Sequence, residues 1–169
     1  GYRLTVMDRA MEGGVNDVGI GALFGLGDYR FEVLAMMEHA AHLERCYGCG
    51  PHTVSVPRME PAVGAPDAEN VPNPVSDDDF KKIVAVIRIA LPYTGIILST
   101  RENAQMRNEL INYGVSQISA GSKTNPGSYA HDEGHTGSQF SLADNRDLDQ
   151  VISSFVDEGY IPVRLIEGL

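Results

Sequence analysis

Residues 76–101 read SDDDFKKIVAVIRIALPYTGIILSTR, and this stretch decides the fold. Ser76 is a good helix cap, and Asp77, Asp78 and Asp79 put carboxylates at the positive end of the helix dipole. Phe80, Ile83, Val84, Ile87 and Ala90 recur at helical spacing and form one apolar stripe. Residues 95–99 then read GIILS, a short and nearly all-apolar strand of the kind covered on both faces. Thr100 and Arg101 follow at its C-terminal end.

The same alternation runs outward in both directions. Residues 3–14 carry Leu4, Met7 and Met11 at helical spacing and stop on Gly13 and Gly14. Residues 15–21 read as a strand that runs into a glycine-rich turn. A long helix is predicted over 29–47, with Phe31, Leu34, Met37, Ala41 and Leu43 as its buried face and Gly48 as its stop. Residues 52–56 have strand composition and are closed by Pro57. Beyond the opening stretch, a helix is predicted over 103–113, a strand over 115–119 and a helix over 145–158. Ile161-Pro162-Val163 reads as the start of another strand. Residues 59–75, with four prolines, and the polar, glycine-rich 120–140 are read as loops.

Short apolar strands separated by helices predict an α/β fold of alternating parallel β/α units, in one domain over residues 1–169. A flavodoxin-like sheet and part of a (β/α)8 barrel both fit the order. Both architectures place ligand sites at the C-terminal ends of strands, where Arg58, Arg101 and Ser119 stand.

Composition narrows the function classes. The chain has 169 residues, 43% of them hydrophobic, with 23 acidic against 13 basic residues and a net charge of −10. Such a charge repels phosphate backbones, so nucleic acid is not expected as a partner. No apolar run approaches the roughly 20 residues of a membrane helix, and residues 1–4 lack signal-peptide anatomy. Two cysteines cannot build a disulfide scaffold, so a cytoplasmic setting is expected. They are also too few to hold an iron–sulfur cluster by themselves.

The densest glycine cluster is residues 19–28, GIGALFGLGD. Glycine lets a backbone approach a ligand closely, and a helix starting near Tyr29 would point N–H groups at it. The spacing departs from a dinucleotide fingerprint, so on spacing alone a tight strand–helix turn is the plainer reading and ligand binding the alternative. Arg101 is placed to grip a carboxylate bidentately, and a loop salt link to Glu102 or to an aspartate explains it equally well. Arg58 carries the same ambiguity. Ser119, Ser122, Lys123 and Thr124 are candidate hydrogen-bonding groups. Cys46 and Cys49 form a C-x-x-C, and His131 and His135 supply two imidazoles. Their spacing does not match a helical zinc motif, and no metal site is expected. The two cysteines read as incidental thiols at a helix end, and His39 and His42 as surface residues.

Several stretches together resemble one family, the radical-SAM aromatic amino-acid lyases. They are residues 4–11 (LTVMDRAM), 17–26 (DVGIGALFGL), 50–58 (GPHTVSVPR), 76–82 (SDDDFKK), 92–95 (PYTG), 98–102 (LSTRE) and 114–122 (GVSQISAGS). The likeness covers about residues 1–162 and is strongest to the tyrosine lyases of FeFe-hydrogenase maturation, with those of thiazole synthesis a near relative. It implies half of a TIM-type (β/α)8 radical-SAM barrel, the later half, ending in a biotin- and thiamin-synthesis-associated type of region. In complete enzymes of this kind, a four-iron four-sulfur cluster reductively cleaves S-adenosylmethionine. The resulting radical attacks tyrosine, giving p-cresol and dehydroglycine, and in the hydrogenase branch carbon monoxide and cyanide follow.

Position by position, Gly21, Leu23, Gly25 and Asp28 fall on the family's G-x-I-x-G-x-x-E stretch, which lies beside S-adenosylmethionine. Leu23 replaces isoleucine and Asp28 replaces glutamate. Arg101 matches the arginine that holds the amino-acid carboxylate, Ser119 the nearby pocket serine, and Arg58 the Ser-x-Pro-Arg stretch. The family's C-x-x-x-C-x-x-C and its C-terminal auxiliary-cluster cysteines are absent, so neither cofactor is expected to be retained by this chain. It is accordingly read as a truncated or naturally reduced form, inactive alone and completed by self-association through its open edges. A non-catalytic module binding tyrosine or S-adenosylmethionine stands as the alternative.

Overall fold

The computed structural model describes residues 1–60, 68, 70–123 and 142–164. Four parallel strands, β1 (Gly19–Gly21), β2 (Thr53–Ser55), β3 (Gly95–Leu98) and β4 (Gln117–Ile118), make one sheet. Around it lie α1 (Val6–Glu12), α2 (Tyr29–Tyr47), α3 (Asp77–Ala90), α4 (Ala104–Ile111) and α5 (Leu148–Asp157). None of the described helices is long and apolar enough to cross a membrane.

Spatial order equals chain order, β1-β2-β3-β4, with every pair parallel. Right-handed crossovers that always step in one direction collect their helices on one face of the sheet. A flavodoxin-like sheet needs a reversal of strand order, and there is none. The architecture is therefore the progression of a (β/α) barrel, half of one in strand number. Among the described residues, β1 and β4 each have a neighbour on one side only.

The two faces of the sheet differ sharply. Toward the helices point Ile20, Val54, Ile96 and Leu98, all buried. They pack with Val33, Met36, Ala40 and Leu43 of α2, Phe80, Ile83, Val84 and Ile87 of α3, and Met106 and Leu110 of α4. The opposite face carries Gly19, Gly21, Thr53, Ser55, Gly95 and Gln117, with Ile97 its large apolar member, and none of these is buried. A Cβ on Gly19 would lie 2.6 Å from Thr53 Oγ1, and one on Gly95 2.8 Å from Gln117 Nε2. Most barrels fill this inner face with branched apolar side chains. Here the side chains are mostly small and polar.

Local sequence explains the helix ends. Ser76 Oγ accepts the Asp79 N–H at 3.2 Å, and Asp28 Oδ1 accepts the Arg30 N–H at 2.9 Å. Gly48 ends α2 in the left-handed region, at φ 75°. Asp147 and Gln150 form a reciprocal capping box on α5. That helix starts at Leu148 rather than 145, because Asp144 and Arg146 are drawn into an ion cluster described below.

Two expectations fail. The buried residues of α2 are Val33, Met36, Ala40 and Leu43, whereas Phe31 and Leu34 are 69% and 63% exposed. Both sets obey a helical period. The small Ala40, fully buried, marks the side on which α2 can approach the sheet closely. The strand expected at Ile161-Pro162-Val163 is likewise absent, and residues 161–164 have no regular structure. Pro162 cannot donate to a ladder, and Ile161 and Val163 are 89% and 83% exposed, so nothing rewards pairing.

Candidate functional site

The C-terminal ends of the four strands share one rim, where each strand hands over to a polar segment. β1 and β2 are stitched together beyond their regular ends. Phe24 N–H donates to Pro57 O at 2.9 Å and Met59 N–H donates to Phe24 O at 2.8 Å, making a parallel bridge between Phe24 and Arg58. This brings the glycine stretch and Arg58 side by side.

Arg58 is a heavily engaged cation of the rim. Its Nε donates to Glu102 Oε1 at 2.7 Å and its Nη2 to Glu102 Oε2 at 2.5 Å, a two-pronged pair. Its Nη1 donates to Val75 O at 3.0 Å and to Asp77 Oδ1 at 2.8 Å, and the guanidinium lies 4.7 Å from the Phe80 ring centre. Burial alone would lower its pKa, but the hydrogen bonds and charges of Glu102 and Asp77 outweigh that and hold it above the ordinary arginine value. Glu102, 2% exposed, thus belongs to Arg58 rather than to Arg101.

Arg101 follows β3 and is half-buried. Its backbone N–H donates to Ser99 Oγ at 3.4 Å. Burial pulls its pKa down, partly offset by the charge of Glu60. A desolvated guanidinium at the end of a barrel strand suits a carboxylate ligand, because low dielectric strengthens the pairing. Ser119, half-buried, follows β4 and donates its N–H to Leu98 O at 3.1 Å.

Behind Ser119 lies a cluster that sequence reasoning missed. Arg107 of α4, fully buried, donates through Nη1 to Asp144 Oδ2 and through Nη2 to the carbonyl of Ser119. Arg146 donates to the same carboxylate, at 2.7 Å from Nη2 to Oδ2. Burial raises the pKa of Asp144, yet the bonds and charges of Arg146 and Arg107 prevail and hold it below the usual carboxylate range. The Asp144 N–H donates in turn to Thr100 O at 3.2 Å, tying the ends of β3 and β4 together. One sequence signal was available: Asn103, Met106, Arg107 and Leu110 follow the i, i+3, i+4, i+7 stripe, which puts Arg107 on the buried side.

The glycine stretch has structural reasons of its own. Gly25 sits at φ +124°, and a Cβ there would fall 2.9 Å from Val71 Cγ1 and 3.1 Å from Met59 Cβ. Asp28 is the cap of α2, with an exposed side chain. Gly21 is exposed and Leu23 half-buried at the open edge of β1.

The donor set for a cluster is not found. Among the described residues, no group of three or more His, Cys, Asp or Glu side chains could hold a metal ion. Cys46 and Cys49 are free and exposed. They lie at the far end of α2, and since α2 leaves the rim they sit by the opposite end of the sheet. Thr124, His131 and His135 lie outside the described residues.

A groove of about 880 Å³ runs beside β4, bounded by Ile118, Ser119, Val151, Phe155 and Ile161. Of the candidate residues it reaches only Ser119. It follows the open sheet edge, not the rim.

Comparison with known proteins bears on the fold and the family. 2-Iminoacetate synthases from Salmonella typhimurium (strain LT2) and Escherichia coli (strain K12) are 34% and 31% identical over 163 residues. These alignments cover 96% of this chain and 42% of each relative, so the chain spans less than half their length. The crystal structure of HydG, a maturase of the FeFe-hydrogenase, superposes with a TM-score of 0.89 at 52% identity, over 95% of this chain and 34% of that one. The HydG of Carboxydothermus hydrogenoformans superposes with a TM-score of 0.80 at 48% identity, over 95% of this chain and 36% of that one. The sequence profile of the Biotin and Thiamin Synthesis associated domain matches residues 55–161, from β2 past the end of α5, and the chain belongs to that family.

Proposed function

We propose that this chain is the later-half segment of a HydG-like radical-SAM tyrosine lyase and carries its substrate-facing rim. The observation that carries the reading is the 52% identity and 0.89 TM-score to HydG over 95% of the chain. The thiazole-synthesis branch is the second reading, supported by the 2-iminoacetate synthases at lower identity, 34%. In the proposed pocket Arg101 pairs with the carboxylate of tyrosine and Ser119 hydrogen-bonds beside it. Arg58, committed to Glu102 and Asp77, shapes the rim and contributes charge. The small, polar inner face supplies room for a polar ligand.

Gly21 and Leu23, with Gly25 and Asp28 completing the turn, form the proposed edge against S-adenosylmethionine. The exposed position of Gly21 supports this. The described residues do not fit an iron–sulfur cluster, so no chemical step is assigned to them through one. Since β1 and β4 each have a neighbour on one side only among the described residues, the chain is further proposed to act as one domain completed by association.

Calorimetry with tyrosine tests the pocket. Wild-type protein should bind, and Arg101→Ala should weaken binding by roughly ten- to a hundredfold, the worth of a charge-assisted pair. No binding by wild type, or equal binding by both, overturns the pocket. A surrounding reading frame without C-x-x-x-C-x-x-C upstream would overturn the lyase assignment.

A further inference from the structure

On the outer surface, where α1 crosses the end of α2, three side chains form a relay unconnected with the rim. His42 Nε2 lies 2.6 Å from Asp8 Oδ1, and the other ring nitrogen, Nδ1, lies 3.7 Å from Cys46 Sγ. His42 and Cys46 are one helical turn apart on α2, so their side chains are neighbours by construction. Tyr47 O–H also donates to Asp8 Oδ1, at 3.2 Å. Two donors on one oxygen favour the ionised carboxylate, and the His42 bond, helped by that of Tyr47, holds the Asp8 pKa below its ordinary value. In the tautomer whose Nε2–H donates to Asp8, the Nδ1 lone pair faces the sulfur. The order is acid, imidazole, nucleophile.

We propose that Cys46 is a nucleophilic thiol site for small disulfides. The surroundings favour that class over acyl or phosphoryl groups. Cys46 is free and exposed, so its sulfur is open to a small reagent. Thiol exchange needs only a base, an accessible sulfur and a leaving thiolate. His42 Nδ1 takes the Cys46 proton, and the thiolate attacks one sulfur of the disulfide. The old S–S bond breaks as the new one forms, and the departing thiolate takes the proton from His42. One protein thiol and one disulfide become one mixed disulfide and one small thiol. The last turn of α2 and Glu12 place negative potential nearby, so the activation must come from His42 rather than from the helix. Around the relay stand Asp8 and Glu12 of α1 and His39 and Tyr47 of α2. His39, its ring centre 6.5 Å from that of His42, has a buried Nε2 without a partner.

Cys49 is an internal control, also free and exposed. Dithiodipyridine, a neutral disulfide, removes charge steering from the measurement, and release of pyridinethione gives the rate. At pH 7, Cys49→Ser protein, which keeps Cys46, should react roughly ten times faster than Cys46→Ser protein, which keeps Cys49. Adding His42→Asn to Cys49→Ser should bring its rate down to that of Cys49. Adding Asp8→Asn should lower it several-fold with an unchanged circular dichroism spectrum, which separates loss of the relay from loss of fold. Equal rates for the two thiols, or a fast Cys46 that survives His42→Asn, would overturn the proposal.

Discussion

Arg58 and Glu102 face each other through two parallel hydrogen bonds, 2.7 and 2.5 Å long, across the ends of β2 and β3. Glu102 is 2% exposed, so its carboxylate has no solvent to fall back on. Removing one partner of such a pair strands a buried charge, which costs about 3–5 kcal/mol. Arg58→Ala should therefore lower unfolding free energy by about 3 kcal/mol in urea titration. The double variant Arg58→Met, Glu102→Met should recover most of it. A tyrosine-binding defect in Arg58→Ala would then be read together with that lost stability.

The Arg107–Asp144–Arg146 cluster makes stability depend on acid. The folded-state pKa of Asp144 lies below 3.8, its unfolded value. The stabilisation is therefore complete above the unfolded value and is lost as pH falls through the folded one. Urea midpoints should hold steady from pH 7 to pH 5 and fall below about pH 4. Asp144→Asn should be less stable at pH 7 and show a shallower acid decline. An unchanged decline would remove Asp144 from the account.

Gly25 separates backbone strain from ligand binding. At φ +124°, with Val71 Cγ1 2.9 Å from where a Cβ would sit, alanine is both strained and crowded. Gly25→Ala should cost about 1–3 kcal/mol in the free protein, measured by thermal or urea unfolding. A variant as stable as wild type would mean that the turn relaxes and glycine is needed for a ligand instead.

The two faces of α2 should respond oppositely to substitution. Leu43, fully buried, should cost about 2–5 kcal/mol when changed to alanine. Phe31→Ser and Leu34→Ser, at positions 69% and 63% exposed, should change stability by no more than about 0.5 kcal/mol. Urea titration of the three variants decides between the faces.

The proposed association rests on β1 and β4, each with one uncovered side among the described residues. Sedimentation should show a dimer or larger species, since an uncovered edge is a template for another strand. A stable, well-folded monomer at low micromolar concentration would contradict it.

Much of this architecture was legible from local chemistry. Ser76 with its three aspartates, and Phe80, Ile83, Val84 and Ile87, define α3 without reference to anything distant, because capping and helical period act within a few residues. The strand Gly95–Leu98 and the polar residues beyond it followed from composition, and so did the placement of Arg58, Arg101 and Ser119 at strand ends. What the sequence by itself determined is what depends on neighbours in the chain: which segments are helix or strand, and that they alternate.

Only the tertiary structure decided what depends on distant residues. Phe31, Leu34 and Val33, Met36 both satisfy a helical period, and the sheet beneath Ala40 chose between them. Arg101 and Arg58 compete on paper for Glu102. Their positions across β2 and β3 gave it to Arg58, 44 residues away in sequence. Arg107 found Asp144 across 37 residues, and His42 found Asp8 across 34. A charge buried at low dielectric takes whatever opposite charge the fold brings within reach, and chain order does not encode that reach.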